Sequence, residues 1–129
     1  MSRVSGIPEP SVDPVAFAEE WIAAWNAHDL ERVLAHYATD AVVRTPLAAV
    51  RVPGSGGVVR GHDALRAYWG PALAEMADLR FELVEPMPTV DGVTILYRNQ
   101  RGQLVAETVL WGADGLVHTA VVGYGAAPG

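Results

Sequence analysis

Apolar and polar residues alternate along this chain in two different rhythms, a helical one first and a strand-like one later. Asp13-Pro14 has the form of a helix start, with Asp as N-cap and Pro at the first helical position. Val15, Phe17, Trp21, Ala24, Trp25 and His28 then fall along one stripe, which predicts a helix running to about Ala27. Asn26-Ala27-His28-Asp29 breaks it, and His28 is expected at the junction with a second, shorter helix capped by Asp29. That helix carries Leu30, Val33, Leu34 and Tyr37 and ends at Thr39-Asp40. Ala41 to Pro46 reads as a short strand, Leu47 to Gly57 as a loop, and Val58 to Arg60 as a brief strand. A third helix begins at Gly61-His62-Asp63, with Leu65, Tyr68, Trp69, Ala72, Leu73 and Met76 on its buried face. His36 and His62 are expected to be exposed.

From Phe81 onward the pattern is that of strands. Phe81–Pro88, Val93–Arg101, Gln103–Trp111 and Leu116–Tyr124 are separated by turn signals at Asp91-Gly92, Arg101-Gly102 and Ala113-Asp114-Gly115. The expected order is helix, helix, strand, strand, helix, and then a four-strand antiparallel meander. Leu104 to Trp111 is apolar at both parities, and the last strand behaves alike. A sheet with one solvated face alternates more cleanly. One face is therefore expected to pack on the helices and a pocket, and the other on a second subunit, as a homodimer.

Composition narrows the functional classes. The 129 residues suit one domain, spanning 13–125, with a flexible lead-in over 1–12 and a tail over 126–129. Net charge is −6, and all 9 basic residues are arginines, scattered rather than clustered. Nucleic-acid binding is disfavoured. No apolar run reaches the roughly 20 residues that span a bilayer, so no membrane partner is expected. The absence of cysteine removes disulfides and thiolate chemistry and suits a cytoplasmic location. No dinucleotide fingerprint, serine elbow or metal-ligand cluster stands in the chain, so neither a cofactor nor a metal is expected. The glycines at 54–57 lack the lysine of a phosphate cradle and read as a turn.

The segment "FAEEWIAAWNAHDLERVLAHYATDAVVRTP" resembles the opening of the nuclear-transport-factor-two-like superfamily. "GHDALRAYWGPAL" and "DGLVHTAVVGYG" are similar to later parts of the same pattern, and together they cover about 13–125. The resemblance points to the SnoaL-like and ketosteroid-isomerase-like branch. It implies an α+β fold: a cystatin-like, cone-shaped barrel of three helices on a curved, mainly antiparallel sheet, with a pocket at the wide end. Fold alone does not choose an activity. The ketosteroid isomerase roles, an Asp base with a Tyr and a protonated Asp holding an oxyanion, carry over to Thr45, Trp21 and Glu107. Thr45 cannot serve as a carboxylate base, so that isomerase is disfavoured. A limonene-type epoxide hydrolase needs a carboxylate two positions after Arg98, where Gln100 stands. A scytalone-dehydratase pattern needs histidines and an acid, for which His118 and Glu107 are available.

Strand parity then supplies a pocket. If Glu107 points inward, so do Val105, Val109 and Trp111. His118, Ala120, Val122 and Tyr124 share one face, which the resemblance makes the inner one. Trp21, Trp25, Thr45, Tyr68, Trp69 and either Tyr97 or Asn99 complete the lining; the parity of Val93–Arg101 leaves Arg98 as the alternative. Two readings of Glu107 stand side by side: an acid in the pocket, or a rim residue paired with Arg98 or Arg101. His118 is likewise either an acid/base or a hydrogen-bonded structural histidine. The leading expectation is a cofactor-independent acid–base enzyme, of isomerase, cyclase or dehydratase type. Its substrate would be a hydrophobic polyketide-, steroid- or terpene-like molecule, with Glu107 and His118 catalytic. The rivals are a non-catalytic binding or dimerisation module and, behind it, a partner-binding adaptor.

Overall fold

The computed structural model describes residues 12–126; most of the lead-in and most of the tail lie outside them. Helix α1 spans Pro14–Asn26, and the Asp13 carboxylate caps it by accepting from the backbone N–H groups of Val15 and Ala16. Its buried stripe is Phe17, Ala18, Trp21, Ile22, Ala24 and Trp25. The helix ends where His28 takes a left-handed φ of 55°. The His28 ring then meets the Leu79 carbonyl oxygen at 2.9 Å, fixing the junction.

The second helix is shorter than its pattern suggested. α2 covers only Leu30–Leu34, and Tyr37 belongs instead to strand β1, Tyr37–Arg44. The backbone N–H of Val117 bonds the His36 carbonyl at 2.9 Å, so sheet pairing begins where the helix was expected to continue. Nor is 47–57 all loop. Helix α3 spans Pro46–Arg51, capped by the Thr45 hydroxyl, which accepts from Leu47 N–H at 3.3 Å. Thr45-Pro46 repeats the cap-then-proline signature of Asp13-Pro14, and this is the fourth helix where three were expected.

β2 (Val58–Arg60) and helix α4 (His62–Glu75) follow. His62 is half-buried rather than exposed, and its ring meets the Tyr37 carbonyl at 2.7 Å, tying α4 to β1. His36 is also half-buried, against Glu20 at 3.2 Å. The remaining strands are β3 (Glu82–Pro88), β4 (Gly92–Arg98), β5 (Leu104–Trp111) and β6 (Val117–Tyr124).

These strands form one sheet in the order β2-β1-β6-β5-β4-β3. The expected meander is present, and β1 joins it by a parallel pairing to β6. Register shifts interrupt three of the five pairings, at Tyr37/Val42, Leu83/Glu85 and Leu110/Trp111. Each bulge sharpens local twist and bends the sheet. The inner face holds Val43, Val93, Ile95, Val105, Val109 and Val117, all at 1% exposure or less, packed with α1. At the far end, the Asn26 amide donates to the Phe81 carbonyl at 2.9 Å and accepts from its N–H at 2.7 Å. That pair of hydrogen bonds brings Phe81 beside α1, where it lines the cavity.

Candidate active site

β5 alternates strictly between buried and half-exposed positions, and Glu107 falls in the buried set with Val105, Val109 and Trp111. Its neighbours across the sheet are Ile95 and Val122. A carboxyl there has little water to stabilise its charge; Glu107 is 5% exposed. Burial pushes its pKa from 4.5 up to about 8, against a smaller downward pull from a hydrogen bond with Tyr37. At neutral pH the group is therefore largely a neutral acid with a proton to donate.

Tyr37 is the functional neighbour that the sequence reading missed, because it was assigned to a helix. Its hydroxyl accepts from Trp21 Nε1 at 3.0 Å and donates to Glu107 Oε2 across 3.5 Å. The contact to Glu107 is long, at the outer limit of a hydrogen bond, so it offsets little of the cost of burying the charge. Burial and the nearby Glu107 charge hold the Tyr37 phenol well above its usual range. Tyr97 is raised by the same two causes, and Tyr68 is pushed up to about 12, chiefly by burial. Burial also raises Tyr124, with the Thr45 hydroxyl pulling the other way. All four tyrosines remain phenols at neutral pH and offer O–H groups, not charges.

Glu107 borders an inner cavity of about 80 Å³. Trp21, Trp25, Thr45, Tyr68, Trp69, Tyr97, Val122 and Tyr124 line it. Leu47, Met76, Leu79 and Phe81 add walls that the sequence reading did not assign to the pocket. Phe81 stacks against Tyr97 with ring centres 4.4 Å apart, and Trp25 meets Trp69 edge-on at 5.1 Å. Aromatic walls around a few polar points are the usual makeup of a small-molecule site.

Other expected residues lie elsewhere. Val109, Trp111 and Ala120 are buried but sit deeper in the core; Trp111 packs on Phe17 at 5.5 Å. Tyr97 faces inward and Arg98 outward, where its guanidinium donates to the Gly102 carbonyl at 3.2 Å. Asn99 falls in the turn beyond β4 and lines the outer mouth rather than the inner cavity. Glu107 makes no ion pair with Arg98 or Arg101, since it sits on the inner face.

His118 departs most from expectation. Trp111 pairs with Val117 while Leu110 pairs with Thr119, so His118 is the extra residue of a bulge. Val117 takes the inner position, and the His118 side chain is 43% exposed. Its ring meets the Asp114 carboxylate at 3.0 Å, with Asp40 at 3.9 Å. It therefore does not share a face with Val122, and it does not meet Glu107 across one ligand.

A SnoaL-like domain model matches residues 18–118. The chain belongs to the SnoaL-like family. A SnoaL-like protein of unknown function from Burkholderia thailandensis E264 is 37% identical, and its structure superposes with a TM-score of 0.86. The match covers 92% of this chain and all of that one. The cystatin-like cone recurs in more distant structures. One is SalBIII, an epoxide hydrolase/cyclase-like enzyme in pyran ring formation of the polyether salinomycin. It is 13% identical, has a TM-score of 0.68, and covers 87% of this chain and 90% of its own. Another is Rv0760c from Mycobacterium tuberculosis in complex with estradiol-17beta-hemisuccinate. It is 19% identical at a TM-score of 0.69, covering 88% of this chain and 95% of its own. At these identities the likeness is one of fold. No curated protein matches the SnoaL-like chain.

Proposed function

We propose that this SnoaL-like protein is a cofactor-independent acid–base enzyme acting on a hydrophobic small molecule. The observation that carries the reading is the Glu107 carboxyl: buried, without a cation beside it among the described residues, and bordering an aromatic cavity. A neutral carboxylic acid there donates a proton to a carbonyl, epoxide or hydroxyl oxygen of the ligand. The carboxylate left behind then takes a proton from carbon or oxygen, so one residue serves both halves of the transfer. Isomerisation, cyclisation and dehydration all fit that cycle. The polyketide-like, steroid-like and terpene-like ring systems named by the resemblance suit the aromatic walls.

A second reading has its own support. With His118 turned out to Asp114, Glu107 is, among the described residues, the one carboxyl or imidazole lining the cavity, and a non-catalytic binding module needs no more. Thermal-shift screening of wild type and Glu107→Gln against aromatic polyketides, steroids and terpene epoxides, followed by turnover assays on the hits, separates the two. The enzyme reading expects ligands to stabilise both proteins, and turnover to fall by about 100-fold or more in Glu107→Gln, as for loss of a general acid. Ligand binding with no turnover in either protein leaves the binding module.

We further propose that two copies pair through the outer sheet face. That face carries Val42, Leu96, Leu110 and Val121; Val121 is 48% exposed.

A further inference from the structure

The inner cavity is smaller than a usual ligand site, but it is not closed. A second hollow of about 450 Å³ lies outside it, and the two share Leu47, Leu79, Phe81, Tyr97 and Tyr124 as common walls. The result is a funnel with different chemistry at its two ends. Glu107 borders the inner end, and Arg51, Arg101 and the amides of Asn99, Gln100 and Gln103 rim the outer one. Among the described residues no Asp or Glu lines the outer hollow. The chain as a whole has 15 acidic residues against 9 basic ones, so this rim departs from the surface around it.

The rim is also held in shape. Asn99 Oδ1 accepts from the backbone N–H groups of Arg101 and Gln103, each at 3.0 Å, and Gly102 takes a φ of 76°. Gln103 donates to the Gly125 carbonyl at 2.8 Å, tying the turn to the end of β6. Arg51 is engaged by Glu75, whereas none of the ion pairs among the described residues uses Arg101. Gln100 adds an unmet polar atom. Its Oε1 is buried without a partner, and its Nε2 reaches only Met76 Sδ at 3.7 Å.

We propose that the ligand of this site is an amphipathic organic anion. Its hydrogen-bond acceptor points to Glu107, its flat apolar body lies between Phe81 and Tyr97 and the opposite wall, and its carboxylate stays at the rim beside Arg101. The inner half of this assignment rests on the reading of Glu107 as the buried donor; the outer half rests on the rim alone. An exposed arginine contributes modestly because water and salt screen it. The expected preference for the anion is therefore severalfold rather than thousandfold.

The test uses acetyl-naphthoic acid, with its two groups at opposite ends of the rings, and its methyl ester. Binding is measured by titration calorimetry on wild type, Arg101→Gln and Glu107→Leu, which removes the donor, at low and high salt. The proposal expects wild type to bind the acid about three- to tenfold tighter than the ester at low salt, with the difference shrinking at high salt. In Arg101→Gln the acid should weaken to the level of the ester while the ester is unchanged. Glu107→Leu should weaken both. Equal binding of acid and ester in wild type, with Glu107→Leu still weakening both, overturns the anion assignment and leaves the reading of Glu107 standing. A preference for the acid that vanishes in Arg101→Gln but ignores Glu107→Leu keeps the rim and overturns the inner donor. If neither compound binds, both fall.

Discussion

A buried carboxyl reports on itself through pH. Glu107 is held neutral in the folded chain and ionises freely in the unfolded one, so between 4.5 and about 8 the folded state binds the extra proton. Stability then falls as pH rises through that window, and the effect stops above the folded value, where both states are ionised. The slope from this one group is at most about 1.4 kcal/mol per pH unit. Denaturant melts across the window should show wild type losing stability relative to Glu107→Gln as pH rises. A difference that is flat with pH would mean that the carboxyl is hydrated or paired in solution. Tyr37 belongs to the same scale, as the hydroxyl that sits between Trp21 and Glu107 and couples α1 to the acid.

Among the elements, the bulges matter as much as the strands. One extra residue in β6 at the Leu110/Trp111 register shift turns His118 away and puts Val117 in its place. Strand parity had His118 inside because alternation assumes an unbroken ladder. The close pairing of β4 and β5 is likewise set by one residue. A Cβ on Gly92 would overlap the Val109 carbonyl oxygen, which is backbone and has no room to move aside. Gly92→Ala is expected to cost about 3 kcal/mol or more, at the upper end for overpacking. Chemical denaturation measures it, and an unchanged midpoint would show that the two strands separate there without penalty. The helix α3 was readable in principle, since Thr45-Pro46 carries a cap and a first-turn proline. Six residues are too few for an apolar stripe, and the glycines after it carry a turn signal.

At the scale of the molecule, the sheet has one face committed to the helices and cavity and one face left half-exposed. Thr94 and Thr108 pair their hydroxyls at 2.8 Å on that outer side, among Leu96, Leu110 and Val121. If two copies meet there, Val121→Asp places a charge in the contact, and light scattering should show the mass halve while ligand binding in the cone persists. Wild type running as a monomer at the concentrations used would dispose of the pairing. Among the described residues no helix is long and apolar enough to cross a membrane.

Much of this architecture was written locally. Asp13-Pro14, the stripe from Phe17 to Trp25, the turn glycines and the period-two strands each act over a few residues, and their physics needs no distant partner. They determined the α+β order and the meander, and they grouped Glu107 with Val105, Val109 and Trp111 on one face without deciding which face is inner. Other features depend on contacts far apart in the chain. Tyr37 joins a strand because Val117 N–H finds the His36 carbonyl, 81 positions away by their numbering. Phe81 lines the cavity because Asn26 holds its backbone. His118 leaves the inner face because β5 and β6 slip by one residue. Burial of Glu107, and so its proton at neutral pH, is likewise a property of the packed cone: desolvation exists only once the walls from α1, α4 and four strands have closed around the carboxyl.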